Sequence, residues 1–77
     1  MSVFTTEELT RNAYRAGLRA IRSGIAMHHE TARELHLEAA AACRISNCAE
    51  GDDMAAKHES SAARHLASVV RLAREAA

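Results

Sequence analysis

Five histidines are the residues of this 77-residue chain best suited to chemistry, because imidazole binds transition metals and titrates near neutral pH. His28, His58 and His65 fall on apolar stripes of helical spacing, whereas His29 and His36 fall beside them. Metal sites in helix bundles are built from side chains of facing helices. The pattern therefore makes His28, His58 and His65 candidate ligands for zinc, copper or nickel, together with nearby glutamates.

The spacing of the histidines also limits such a site. His58 and His65 are seven residues apart, which on a helix is about 10 Å, too far for two side chains to share one ion by themselves. The Glu-x-x-His motif of di-iron bundles does not occur. These observations favour a chain without a cofactor, in which the histidines are hydrogen-bonded core residues. A pH-sensitive interface is a further alternative, because protonated imidazoles would push packed helices apart.

Arginines form the clearest charge pattern in the sequence, although ten basic and ten acidic residues leave no net charge. Four arginines follow one another at helical spacing, and two more lie near the C-terminus: Arg11, Arg15, Arg19, Arg22, Arg71 and Arg74. In a hairpin these arginines would lie toward one end and most acidic residues toward the turn. We expect the six arginines to contact a protein partner, with nucleic-acid binding through the arginine line as the alternative.

No motif of a common catalytic site is present. The sequence has no Gly-rich phosphate loop, no nucleophile elbow and no His-Glu-x-x-His. A short helical chain also offers few concave places in which to shield a substrate from water. We predict that the protein is not an enzyme. The favoured function is a small regulator, adaptor or inhibitor that binds another macromolecule, and a metal-binding bundle is the alternative.

The cysteines and the hydropathy of the chain bear on its location. Cys43 and Cys48 lack the two-residue spacing of structural zinc sites and redox pairs, and two cysteines do not make a disulfide framework. No stretch is long and uncharged enough to cross a bilayer, and no signal peptide is visible. We therefore expect a cytoplasmic protein with reduced thiols and no membrane association.

The composition predicts an all-α fold in a single domain, residues 1–77. Ala, Arg, Glu and Leu are abundant, proline is absent, and glycine occurs three times. Alanine dominates the apolar residues, so a single chain has little bulk to bury and would be thinly stabilised. We therefore expect a homo-oligomer, and a dimer of two helical hairpins is the simplest closed bundle.

The first helix is predicted to span about residues 6–46. Thr5 and Glu8 fit the capping box that starts a helix. An apolar stripe then passes Gly24 without changing phase, which favours one continuous helix. A break at Gly24, which would give a three-helix bundle, is the alternative, because Ser-Gly is a common site for a helix to end.

Two faces of this predicted helix are apolar. The first is the stripe itself, which begins with Tyr14, Leu18, Ile21 and Ile25. The second consists of small residues that allow another helix to approach closely: Ala13, Ala16, Gly17, Ala20 and Gly24. We expect the stripe to form the packing seam and the small residues to form an additional helix contact.

The second helix is predicted over about residues 53–76, after a turn at residues 46–53. Gly51 permits any backbone conformation in this turn. An antiparallel hairpin with this turn places His65 opposite Ala32, so that a large side chain faces a small one. The predicted architecture is thus a long antiparallel hairpin that assembles into a bundle.

Overall fold

The computed structural model describes residues 4–46 and 48–76, and nearly all of them are helical. They form helix α1 (Thr6–Ser23), helix α2 (Ala26–Ile45) and helix α3 (Ala49–Ala76). No strand occurs within these two described ranges, so the all-α prediction is confirmed. Helix α2 is central, because it packs along both α1 and α3. The molecule measures 43 × 20 × 20 Å, and α3 sets its long dimension.

Helix α1 begins as its sequence predicts, with a capping box. The Thr5 side chain accepts a hydrogen bond of 3.2 Å from the Glu8 backbone N–H, and Glu8 Oε1 accepts one of 3.4 Å from the Thr5 N–H. Glu7 and Glu8 also place negative charge at the positive end of the helix dipole. These interactions satisfy amide groups that no intrahelical carbonyl can reach.

The predicted continuous helix over residues 6–46 is wrong, and the alternative break at Gly24 is present. Gly24 has φ 66° and ψ 16°, a left-handed conformation that only glycine adopts without cost, and its N–H donates to the Ala20 carbonyl at 2.9 Å. Ser23 Oγ then accepts a hydrogen bond from the Ile25 N–H at 3.2 Å. The chain reverses here, so the apolar stripe that crosses Gly24 in phase belongs to two helices.

The reversal buries the small-residue face of α1 rather than the predicted seam. The buried residues are Leu9, Ala13, Gly17 and Ala20. The seam residues Tyr14, Leu18, Ile21 and Ile25 are between 49% and 71% exposed. Small side chains let α1 lie close to α2, so the prediction of a helix contact on this face is confirmed. The prediction that the stripe is the seam is wrong up to Ile25, whereas its α2 residues Ala32 and Ala39 are buried.

Helix α3 begins four residues before its predicted start, because Cys48 caps it. The Cys48 Sγ accepts a hydrogen bond of 3.3 Å from the Gly51 N–H, and the Cys48 carbonyl accepts one of 3.0 Å from the Asp52 N–H. Sulfur takes the place that a serine or threonine oxygen usually occupies at a helix start. The predicted turn over residues 46–53 is therefore too long.

The shorter turn changes the pairing between α2 and α3, which run in opposite directions. His65 meets His29 and His58 meets His36, each pair with its Nδ1 atoms 2.8 Å apart. The predicted position of His65 opposite Ala32 is three residues away from this register. Large side chains therefore face large side chains at these two levels, and a hydrogen bond joins each pair.

Alanine supplies most of the buried apolar residues. Among the described residues, the set is Leu9, Ala13, Ala20, Ala32, Ala39, Ala40, Cys43, Ala55 and Ala62. His58 is the largest fully buried side chain of the described residues. The largest buried side chains between the helices therefore include imidazoles as well as hydrocarbon.

We predict that Gly24→Ala lowers the free energy of unfolding by about 1 kcal/mol, because a Cβ disfavours the left-handed conformation. No atom lies within 4 Å of a Cβ placed on Gly24, so the cost is conformational and not steric. Gly24→Asn should cost less, since asparagine tolerates this conformation. Urea denaturation measures both. In an uninterrupted helix the same Gly24→Ala change would be stabilising by about 1 kcal/mol, so the sign of the effect distinguishes the two architectures.

Candidate functional site

Four of the five histidines are buried together in the middle of the molecule, and we call them the histidine cluster. Helix α2 contributes His29 and His36, and helix α3 contributes His58 and His65. Their exposed fractions lie between 1% and 8%. Both helices place their two histidines seven residues apart, or two helical turns, so the residues of each helix lie on one face.

Hydrogen bonds between imidazoles join the two helices. His29 Nδ1 lies 2.8 Å from His65 Nδ1, and His36 Nδ1 lies 2.8 Å from His58 Nδ1. In each pair one nitrogen carries the proton and the other accepts it, so two rings share one proton at this contact. On its other side, His58 Nε2 is hydrogen-bonded to Thr10 Oγ1 of α1 at 3.1 Å.

Ring contacts connect the two pairs into one column. His36 stacks on His65 with ring centroids 5.8 Å apart and an interplanar angle of 20°. Tyr14 of α1 meets His36 edge-on at 5.5 Å and lies 5.8 Å from His58. All three helices therefore contribute to one continuous group of aromatic and imidazole rings.

The environment of the cluster favours the neutral form of three of its imidazoles. Burial, and after it the charged forms of His58, His65 and Arg64, lower the pKa of His36 from 6.5 to about 4. Burial also lowers the pKa of His58. The pKa of His65 is lowered first by burial and then by His29 and Arg64. These three side chains are thus uncharged at pH 7.

A groove of about 450 Å³ opens between α1 and α3 and reaches the cluster. Its walls are formed by Tyr14, Leu18 and Ile21 on α1 and by Ser61, Arg64 and Ser68 on α3. His29, His36 and His65 line its floor. The volume is within the range of small-molecule and peptide sites.

Gly17 allows α1 to pass close to the imidazoles at the floor of this groove. A Cβ at Gly17 would lie 3.3 Å from His65 Nε2 and 3.9 Å from His36 Nε2. A Cβ here would therefore crowd the His65 ring, which would have to move by a few tenths of an ångström. Glycine at this position is favoured by the close approach of α1 to the cluster, not by its backbone conformation.

The structure brings together two of the three predicted metal ligands and leaves out the third. His58 and His65 belong to the cluster, but His28 is half-buried outside it and its Nδ1 is hydrogen-bonded to Ser23 Oγ at 2.7 Å. His29 and His36 take its place. Within residues 4–46 and 48–76, no group of three or more His, Cys, Asp or Glu side chains is arranged to hold an ion. The predicted site of His28, His58 and His65 is therefore not formed.

All six arginines of the predicted partner surface are exposed: Arg11, Arg15, Arg19, Arg22, Arg71 and Arg74. Among the described residues, the four on α1 make no ion pair, whereas Arg71 pairs with Glu75 at 3.3 Å. Because α1 folds back at Gly24, Arg11 lies beside Cys43 and Met54, near the acidic end of the molecule. The arginine line consequently runs along the exposed side of α1 rather than marking one end, and Arg15 and Arg19 line a separate depression between α1 and α2.

Both cysteines are free thiols, Cys43 buried and Cys48 exposed. The pKa of Cys48 is lowered by a hydrogen bond from the Ser46 side chain and, secondarily, from the Gly51 backbone N–H. These are the contacts that start α3. The thiolate form thus strengthens the helix cap, which gives Cys48 a structural role.

No protein-family model, curated protein or solved structure matches this chain. Over the part of the chain that the structure describes, every helix is too short or too polar to cross a membrane. Function must therefore be argued from the groove, the arginine line and the histidine cluster themselves.

We predict that the free energy of unfolding decreases as the pH falls from about 6.5 to about 4. His36 titrates at about 4 when folded, facing Arg64, His58 and His65 of α3 and Tyr14 of α1, but at 6.5 when unfolded. Between these values the unfolded chain binds more protons, so acid favours unfolding, and above pH 6.5 this source of pH dependence vanishes. The shift of His36 alone corresponds to about 3 kcal/mol.

Urea denaturation from about pH 7.5 down to about pH 4.5 measures this dependence. The double replacement His36→Leu/His58→Leu removes both partners of one hydrogen bond, so it leaves no unpaired buried nitrogen and should flatten the slope. His28→Gln, outside the cluster, should leave the slope as in the parent protein. Equal slopes in all three proteins would mean that the cluster does not control acid stability.

Proposed function

We propose that the protein is a non-enzymatic interaction module that binds an amphipathic helix of a partner protein in the groove between α1 and α3. The partner helix would carry acidic residues beside its apolar stripe. The observation that supports this is an exposed apolar wall directly beside a line of unpaired arginines. A cytoplasmic location, which the two free thiols favour, is part of the proposal.

The apolar wall is large for such a small molecule. Tyr14, Leu18 and Ile21 are 49%, 52% and 71% exposed, and they follow one another at helical spacing along α1. Contiguous apolar surface of this kind marks binding sites on soluble proteins, because leaving it in water is unfavourable. A helix laid in the groove would bury this wall as a fourth helix completes a bundle.

The charges beside the wall favour an acidic partner. Arg15 and Arg22 lie three residues before and four residues after Leu18, so they share its side of α1. Arg64 lines the opposite wall on α3. An apolar groove with cations on both borders complements a helix whose apolar stripe is flanked by Asp and Glu.

A second copy of this chain fits the groove less well. A two-fold interface would bring the same surface of both copies together. The only acidic residues of α1 are Glu7 and Glu8 in its first turn, so the arginines along the groove would meet like charges. Self-association into a dimer stays a prediction.

Binding can be tested with three fluorescent amphipathic peptides of about 20 residues, or about 30 Å of helix, that share one leucine stripe. Their flanking residues are Glu, Gln or Lys. We expect the Glu peptide to bind most tightly and the Lys peptide least, with affinity for the Glu peptide falling as salt is added. Fluorescence anisotropy gives the dissociation constants.

Matched variants locate the site. Leu18→Glu should weaken binding of the Glu peptide by about tenfold or more, equivalent to about 1.4 kcal/mol. Ile45→Glu is the control, because Ile45 is 83% exposed and lies outside the groove. Failure of all three peptides to bind, or equal affinities for them, would contradict the proposal. Tight salt-sensitive binding of duplex DNA in place of peptide would favour the nucleic-acid alternative.

A further inference from the structure

We propose that each histidine pair of the cluster is a two-ligand site for a cuprous ion, Cu(I), bound between the facing Nδ1 atoms. One site is formed by His29 and His65 and the other by His36 and His58. This inference is independent of the proposed peptide binding, since it concerns the floor of the groove and the protein core.

The geometry of the pairs suits an ion held by two nitrogens. Each Nδ1 faces its partner at 2.8 Å, in a hydrogen bond that already aims both ring nitrogens at one point. Metal–imidazole bonds are about 2.0 Å long, so an ion in line between the nitrogens needs them about 4 Å apart. Each pair must therefore open by about 1 Å, a movement within reach of small ring rotations.

The number of ligands selects the ion. Zinc takes four ligands at structural sites, and the described residues contain no group of three or more suitable side chains. Cu(I) has a filled d shell and accepts two ligands in a line. Imidazole nitrogen is a good copper ligand. An ion of single charge is also repelled less by the nearby Arg64 guanidinium, and is less costly to bury, than a doubly charged ion.

Protons and charge balance without a co-reactant. Each pair begins as two neutral imidazoles, one of which donates its Nδ1 proton to the other. When Cu(I) binds to both Nδ1 atoms, that proton moves to Nε2 of the donor ring. No proton is released, no electron is transferred, and the net charge of each site rises by one.

The ion can reach the cluster from solvent. The groove between α1 and α3 ends at His29, His36 and His65. Gly17 adds no side chain between this groove and the rings of His36 and His65.

The test is anaerobic titration with Cu(I) against a chromophoric chelator, in a Cys43→Ala/Cys48→Ser background that removes the thiolates. Native mass spectrometry counts the bound ions. We expect two Cu(I) per chain and a higher melting temperature with Cu(I), because the ion binds only the folded state. Zinc should produce no comparable shift. X-ray absorption should show two nitrogen ligands per copper.

Pair-specific variants decide the assignment. His29→Leu/His65→Leu and His36→Leu/His58→Leu, each checked for helicity by circular dichroism, should each retain one Cu(I) per chain. His28→Gln should retain two. Unchanged stoichiometry in both double variants, or no Cu(I) bound by the folded parent, would overturn the proposal. Zinc binding as tight as Cu(I) binding would also overturn it, since zinc requires ligands that the pairs do not provide.

Discussion

The hydrogen bonds between imidazoles are the interaction on which the rest of this structure depends. A core made mainly of alanine lets three helices lie close together, but such small side chains fill little space and bury little apolar surface. Four histidines supply the missing volume, and a buried polar ring is tolerated only when its nitrogens are paired. Among the described residues, no fully buried side-chain nitrogen or oxygen lacks a partner. Helices α2 and α3 must therefore align so that His29 meets His65 and His36 meets His58.

This requirement explains the position of α1 and the groove beside it. Helix α1 can cross the cluster only where it has small side chains, and Gly17 lies directly over His65. Burying that face turns Tyr14, Leu18 and Ile21 toward solvent, where they form one wall of the groove. The apolar surface offered to a partner is thus a consequence of how the histidine cluster is packed. The proposed peptide would lie in the groove, and the proposed copper ions would lie beneath it in the histidine cluster.

Local signals in the sequence predicted the elements better than their arrangement. The capping box at Thr5 and the small-residue face of α1 depend on neighbouring residues, and both predictions are confirmed. The single helix through Gly24 was wrong because an apolar stripe keeps its phase whether one helix continues or a second one begins. The predicted pairing of His65 was wrong because α3 begins at a cysteine cap, and cysteine is not one of the usual N-cap residues. The cap at Cys48 shortens the turn and so shifts the register.

The residues of the candidate site could also be predicted only in part from the sequence. His58 and His65 were identified because they lie on a seam, whereas His29 and His36 were placed beside one. His29 and His36 are seven residues apart in the sequence, and so are His58 and His65. This equal spacing was the signal that could have indicated pairing between the two helices. Side-chain pairing across helices depends on register to within one residue, which periodicity alone does not determine. The groove depends on the reversal at Gly24 and was not predicted.

The two-residue elbow at Gly24 and Ile25 has a consequence for assembly. The elbow is the only covalent connection of helix α1 to the other two helices. If the elbow straightened, the apolar stripe of α1 would stay in phase with that of α2. Two chains with straightened elbows would exchange their first helices and remake every contact of α1 on the neighbouring α2. Such a domain-swapped dimer needs no new interface. The folded-back chain and a long-helix form would then be two arrangements of the same contacts.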